Sequence, residues 1–122
     1  MLLSPKFQTK RFGNLGEKFA QRLIKAKGYK ILTTNFRSKF GEIDIIAQKN
    51  DFLVFIEVKT RWSNKYGKPE EAVTSKKLWK IKKTAEYFLL RNPSLPKKLL
   101  IEVVAIELTN GKVTSAKVIS VY

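Results

Sequence analysis

The sequence predicts an α/β fold in which a single mixed β-sheet is flanked by helices, in the order α-β-β-β-α-β-β. Two segments, near residues 15–26 and 78–88, carry apolar residues at the spacing of amphipathic helices. Five other segments are rich in β-branched and aromatic residues, as strands are. At 122 residues and 43% hydrophobic content, the chain is expected to form one domain, residues 1–122, with its own core.

The first helix is predicted to begin at Asn14, after a basic leader that ends at Arg11. Asn14 with Glu17 three residues later matches a capping box, in which both side chains bind backbone N–H groups of the first turn. Gly28 is expected to end this helix. The capping box alone would account for Glu17, and so would a functional role for its carboxylate, so the sequence leaves both open.

Three strands are predicted next, at residues 29–37, 40–47 and 52–59. The second and third are separated by Lys49-Asn50-Asp51, which is typical of a tight hairpin turn. With Asn50-Asp51 as a two-residue loop, Lys49 pairs with Phe52, and this pairing sets the register of the hairpin.

That register brings acidic side chains together. Asp44 falls opposite Glu57, Glu42 falls opposite Lys59, and all four side chains are expected on one face. Opposed β-carbons in an antiparallel pair are about 4.5 to 5.5 Å apart, which is close enough for two carboxylates to bind one divalent ion. A slip of one residue would separate the acids, so this prediction depends on the turn.

The second helix is predicted to begin at residue 74 or 75 and to stop before Asn92-Pro93. Residues 99–108 are almost continuously apolar, which indicates a strand inside the sheet that is buried on both faces. Asn110-Gly111 then predicts a turn into a last strand at residues 113–122, at an edge of the sheet.

Composition excludes several kinds of chemistry. The chain has no cysteine and no histidine, so disulfides, thiolate nucleophiles, imidazole bases and the usual zinc sites are excluded. Three of the ten acidic residues, Glu42, Asp44 and Glu57, lie in apolar runs, where an unpaired carboxylate is costly. An all-oxygen ligand set favours Mg²⁺ or Mn²⁺. In the alternative interpretation, these acids form an exposed ladder of ion pairs, with Glu42 opposite Lys59.

A formal net charge of +15 favours a polyanionic partner, with nucleic acid ahead of an anionic membrane. A basic surface for solubility or for ribosome binding is the alternative. No apolar run has the length of a membrane span and no signal peptide is expected, so the protein is predicted to be cytoplasmic. Trp62 and Tyr66 are candidates to stack on bases, and Trp79 is interpreted as a packing residue. Four basic residues that flank the acidic face are candidate phosphate contacts: Arg37, Lys39, Arg61 and Lys65.

The order of elements, with Asp44 followed by Glu57-Val58-Lys59, resembles the PD-(D/E)XK nuclease superfamily and its restriction-endonuclease-like fold. More closely, the chain is similar to the bacterial family called YraN, predicted endonucleases related to archaeal Holliday junction resolvases. The resemblance covers almost the whole chain. It rests on these motifs: Gly16-Glu17, Gly28-Tyr29, Asn35-Phe36-Arg37, Gly41-Glu42-Ile43-Asp44, Phe55-Ile56-Glu57-Val58-Lys59-Thr60-Arg61, Glu71-Ala72-Val73, Lys76-Lys77 and Ala85-Glu86-Tyr87.

The resemblance implies site residues. Asp44 and Glu57 would bind Mg²⁺, with the backbone carbonyl of Val58 completing the site. Lys59 would be catalytic, and two further residues would assist, Glu17 from the first helix and Lys76 as an accessory phosphate contact. Two positions depart from the family pattern: Ile43 stands where the motif name implies proline, and Ile101-Glu102 stands where Phe-Asp is expected.

The function expected from the sequence is therefore a Mg²⁺- or Mn²⁺-dependent endonuclease acting on structured or branched DNA. Resolvase-like cleavage would require a homodimer. Two alternatives stay open. One is a non-catalytic nucleic-acid-binding module with the same fold, and the other is an adaptor for a larger complex.

Overall fold

In a computed structural model, the chain forms a five-stranded sheet and two helices over the residues that the structure describes: 5–62, 71 and 73–122, with side chains from residue 14 onward. The elements are α1 (Pro5–Ala26), β1 (Lys30–Ser38), β2 (Gly41–Lys49), β3 (Phe52–Arg61), α2 (Ser75–Arg91), β4 (Lys98–Thr109) and β5 (Lys112–Ser120). This order is the predicted one, and it confirms the mixed α/β fold class.

The strands are arranged in the sheet in the order β1-β2-β3-β4-β5. The β3–β4 pair is parallel and the other neighbours are antiparallel, since α2 carries the chain across the sheet between β3 and β4. Residues 101–106 of β4 are all buried and β5 lies at an edge, as the sequence predicts. In the part of the chain that the structure describes, no helix is both long and apolar enough to cross a membrane.

The core lies on both faces of the sheet. On one face, α1 packs Ala20 and Ile24 against alternate side chains of β2, β3 and β4. On the other, α2 packs Ile81, Ala85 and Phe88 against the intervening side chains of β2 and β3 and the start of β4. Each helix therefore fixes the position of its own polar residues relative to the ends of the central strands.

The first helix begins nine residues before the predicted start. Pro5 is suited to the first turn because it lacks the N–H that would have no partner there. The helix continues through Gly13, since a single glycine is tolerated within a helical segment. Asn14 and Glu17 lie inside α1, so the predicted capping box is wrong. Glu17 needs another explanation.

The predicted helix end and turns are confirmed. Gly28 has φ +93°, and Tyr29 N donates to Ile24 O at 3.0 Å, which closes the last turn of α1. Lys49 pairs with Phe52 across the β2–β3 turn, as predicted. Thr74 caps α2, because its Oγ1 accepts a hydrogen bond from the backbone N–H of Lys77 at 3.2 Å.

Candidate metal centre

The regular alternation predicted for β2 breaks at Asp44. Ile43 packs in the cluster beneath α2, whereas Ile45, two residues later, packs in the cluster beneath α1. In β1, the residue that the register places opposite Asp44 is Asn35, whose φ of 52° is left-handed. The strand pair is therefore locally distorted at Asp44, and the prediction of one regular face is wrong there.

Asp44 binds β3 through its side chain. Followed from the turn, the β2–β3 ladder ends with the pair Ile45–Ile56, so Asp44 is the first residue of β2 beyond it. There, Oδ2 of Asp44 accepts a hydrogen bond from the backbone N–H of Val58 at 2.8 Å. The Asp44 carboxylate thus accepts a hydrogen bond from the backbone of the residue that follows Glu57. This bond holds Asp44 beside Glu57.

Glu57 is buried at the end of the α2 side of the core, with 8% of its surface exposed. Its Oε2 lies 3.1 Å from Nζ of Lys77, in the first turn of α2. Its Oε1 is buried, and no donor among the described residues reaches it. Burial and, next, the charge of Asp44 raise the pKa of Glu57 to about 7, against the opposing effect of Lys77.

The Asp44 and Glu57 carboxyls are close enough for each to act on the pKa of the other. Burial raises the pKa of Asp44, while the Val58 N–H and then Lys77 act in the opposite direction. Two ionised carboxylates this close repel each other, so the pair must either share a proton or have a cation beside it.

Glu17 approaches this pair from the other face of the sheet. The approach depends on Gly16, because a Cβ at that position would lie 2.0 Å from Oγ1 of Thr60. Burial raises the pKa of Glu17, and the charges of Asp44 and Glu42 raise it further. Glu17 is therefore within electrostatic reach of the candidate centre.

The residues present fit a hard divalent cation. Asp44 and Glu57 supply carboxylate oxygens, and Oε1 of Glu57 is a buried oxygen to which the described residues supply no donor. Within residues 5–62, 71 and 73–122, no group of three or more acidic, histidine or cysteine side chains is close enough to hold a metal ion. A two-carboxylate site suits Mg²⁺, because Mg²⁺ keeps several of its waters when protein-bound.

A basic cleft of about 340 Å³ lies between β2 and α2 and is connected to the acid pair through Lys77. Its α2 wall includes Lys76, Lys77 and Lys80, and its β2 wall includes Glu42. Lys77 belongs both to the cleft and to the ion pair with Glu57. The cleft is therefore suited to guide an anion toward the buried acids.

The expected Glu42–Lys59 pair is replaced by another. Glu42 pairs in the sheet with Arg37 of β1, and Nε of Arg37 lies 3.7 Å from Oε2 of Glu42. The Arg37 side chain is 83% exposed, and such an ion pair contributes little to stability. Lys59 is exposed near the end of β3.

The other predicted phosphate contacts lie at different places. Nζ of Lys39 is 5.2 Å from the ring centroid of Phe40, at the β1–β2 turn beside the cleft. Arg61 is half-buried at the end of β3. Lys65 and Tyr66 lie outside the described residues.

Lys77 is the site residue that the sequence reasoning missed. Lys76, the predicted accessory phosphate contact, is its exposed neighbour and lines the cleft. The signal was present in the sequence, since Lys77 is four residues before Ile81 and eight before Ala85, on the apolar stripe of α2. A lysine on that stripe points to the sheet.

Glu102, where the chain departs from the family pattern, has a structural partner. The Tyr29 hydroxyl donates to Oε1 of Glu102 at 2.6 Å, and both residues are buried. Burial and this hydrogen bond raise the pKa of Tyr29. The contact joins the end of α1 to β4, which explains a carboxylate at this position without a catalytic role.

Proteins similar to this chain occur in Syntrophomonas and Clostridium. A UPF0102 protein of Syntrophomonas wolfei is 42% identical over 103 residues, covering 84% of this chain and 90% of that protein. A UPF0102 protein of Clostridium botulinum is 54% identical over 82 residues, covering 67% of each chain. Residues 16–106 match the model of uncharacterised protein family UPF0102, so this chain belongs to that family, the YraN-like one that its motifs resemble.

Proposed function

We propose that the protein is a metal-dependent endonuclease of the PD-(D/E)XK superfamily, hydrolysing phosphodiester bonds in structured or branched DNA. The observation that carries this proposal is the buried carboxyl pair of Asp44 and Glu57, in which Lys77 meets Oε2 of Glu57 while Oε1 has no donor among the described residues. The basic cleft beside the pair and the net charge of +15 support a polyanionic substrate.

Asp44, Glu57 and the backbone carbonyl of Val58 are the groups proposed to hold Mg²⁺ or Mn²⁺. Such an ion, when bound, lowers the pKa of a water molecule and offsets the charge of a phosphodiester. The all-oxygen donor set is the one these two ions prefer.

The basic residues are proposed to bind and orient the phosphodiester. Lys77 contacts Glu57 and lines the cleft, which supports the proposal that its ammonium binds a phosphate oxygen next to the acids. Lys59, two residues after Glu57 on β3, is the proposed catalytic cation. Its role is to stabilise the negative charge that develops on phosphorus-bound oxygen.

Hydrolysis joins a water oxygen to phosphorus and breaks the bond from phosphorus to a sugar oxygen. The water loses a proton and the departing sugar oxygen gains one. Glu17, whose pKa is raised by burial and by its acidic neighbours, is proposed as a helper that holds a proton close to the acid pair.

The partner is proposed to be DNA ahead of RNA, in the cytoplasm. A chain of 122 residues has little surface for reading a long base sequence, so cutting directed by DNA structure is favoured. Symmetric cutting of a branched substrate would use a homodimer, with one acid pair for each strand.

A non-catalytic nucleic-acid-binding module is the second candidate. The observation that favours it is the Lys77–Glu57 ion pair, in which an ammonium already offsets part of the acidic charge. Both candidates predict strong salt dependence of DNA binding, because both release counterions from phosphates.

Titration of Mg²⁺ and Mn²⁺ by calorimetry separates the two. Wild type, Asp44→Asn and the control Asp51→Asn are compared, the control being an exposed acid that pairs with Lys98 at 2.8 Å. We expect metal binding to wild type and to Asp51→Asn, and its loss in Asp44→Asn. The same samples are then incubated with a four-way junction, a flap and a linear duplex.

Cutting by wild type that is lost in Asp44→Asn, with DNA binding retained, supports the nuclease. Unchanged cutting by purified Asp44→Asn would contradict it. Absence of metal binding to wild type in the presence of DNA would favour the binding module.

A further inference from the structure

An aromatic pair lies beside the basic cleft. Trp79 of α2 is 55% exposed. Its ring meets that of Phe40 edge-on, with centroids 6.2 Å apart, and Phe40 lines the cleft. An exposed fraction of this size does not fit the packing role that the sequence suggested for Trp79.

Lysines accompany both rings. Nζ of Lys83 is 5.7 Å from the centroid of Trp79, and Nζ of Lys39 is 5.2 Å from that of Phe40. Proteins that bind single-stranded nucleic acid combine these two features: aromatic faces on which bases stack, and cations that follow the phosphates. A base within an intact duplex is already stacked on both faces, so it has no free face with which to stack on an aromatic side chain.

The lysines of the cleft indicate where the backbone of a bound nucleic-acid strand would lie. Its α2 wall carries Lys76, Lys77 and Lys80, and Lys77 leads to Glu57. A strand with one base on Trp79 would therefore have its backbone beside these lysines.

We propose that Trp79 and Phe40 form a stacking site for an unpaired nucleobase of a single-stranded segment. The phosphates next to that base follow the cleft lysines toward Glu57. The inference rests on the proposed nuclease function and narrows its substrate to DNA that contains a single-stranded segment, such as a flap.

The test uses Trp79 as its own probe. The chain has two tryptophans, so Trp62→Phe leaves Trp79 as the single tryptophan, which is excited selectively at wavelengths that tyrosine does not absorb. A single-stranded oligonucleotide and the duplex of the same sequence are titrated into this variant in EDTA. We expect quenching by the single strand and little by the duplex.

Affinities of Trp79 variants are measured in parallel by anisotropy of a labelled oligonucleotide. Trp79→Ala is expected to bind the single strand about 5- to 100-fold more weakly, and Trp79→Phe to keep most of the affinity. Leu90→Ala is the matched control, because Leu90 is 82% exposed on the same helix. Thermal melts followed by circular dichroism verify that each variant folds.

Equal quenching by duplex and single strand would overturn the inference. So would a Trp79→Ala affinity equal to that of Leu90→Ala. Because EDTA is present throughout, these results do not depend on metal binding or cutting. Failure of the stacking site is thus distinguishable from failure of the nuclease.

Discussion

Replacing Glu57 with glutamine is expected to stabilise the protein in EDTA above neutral pH. Folding raises the pKa of Glu57 from 4.5 to about 7, so the native state holds this proton more tightly than the unfolded chain. The free energy of unfolding that is linked to Glu57 is therefore highest below pH 4.5 and decreases as the pH rises toward 7.

The size of the effect follows from the same values. Each pKa unit corresponds to about 1.4 kcal/mol, so the change from 4.5 to about 7 amounts to roughly 3 kcal/mol once Glu57 is ionised. Part of this free energy comes from repulsion between Glu57 and Asp44. The ion pair lost at Lys77 offsets little, since that side chain is 41% exposed. We therefore expect Glu57→Gln to gain about 1 to 3 kcal/mol near pH 8 and little near pH 5.

Urea denaturation followed by far-ultraviolet circular dichroism, between about pH 5 and pH 8, measures this gain. Glu86→Gln is the control, because Glu86 is an exposed acid on α2 that pairs with Lys83 at 3.6 Å. Its stability is expected to follow that of wild type at each pH. A Glu57→Gln variant that is destabilised near pH 8, or changed equally at both ends of the range, would refute the reasoning.

Two further substitutions test the packing around the centre and at the other end of α1. Gly16→Ala is expected to destabilise the protein by about 1 to 3 kcal/mol, since the new methyl group meets Thr60, and adding Thr60→Ala should recover part of this in urea denaturation. A Gly16→Ala variant as stable as wild type would contradict the close approach of α1 to Thr60 at Gly16. Tyr29→Phe is expected to cost about 1 to 3 kcal/mol by leaving buried Glu102 without its donor, measured by thermal melting beside exposed Tyr87→Phe. If Tyr29→Phe and Tyr87→Phe lose the same small amount of stability, the result would argue against a buried hydrogen bond between Tyr29 and Glu102.

The sequence by itself determined the order of elements and the hairpin register. Both follow from local rules. Period-two alternation marks strands, helical spacing marks α1 and α2, and Asn50-Asp51 permits a tight turn that pairs Lys49 with Phe52. Because register is set by the turn, the proximity of Asp44 and Glu57 was predictable as well.

Other features were decided only by the tertiary structure. The distortion of β2 at Asp44 places Ile43 and Ile45 in different core clusters, which no alternation rule anticipates. The start of α1 at Pro5 removed the capping explanation for Glu17. The capping-box pattern at Asn14 predicts a helix start, but the helix extends toward the N-terminus past Asn14 to Pro5.

The contact of Lys77 with Glu57 depends on where α2 lies across the sheet. That position is set by the packing of Ile81, Ala85 and Phe88 and by the parallel pairing of β3 with β4. Lys77 and Glu57 are twenty residues apart in the chain and meet only in the folded protein. Local sequence rules give the face of a helix on which a side chain lies, whereas only the packed core decides which group it meets on the opposing strand.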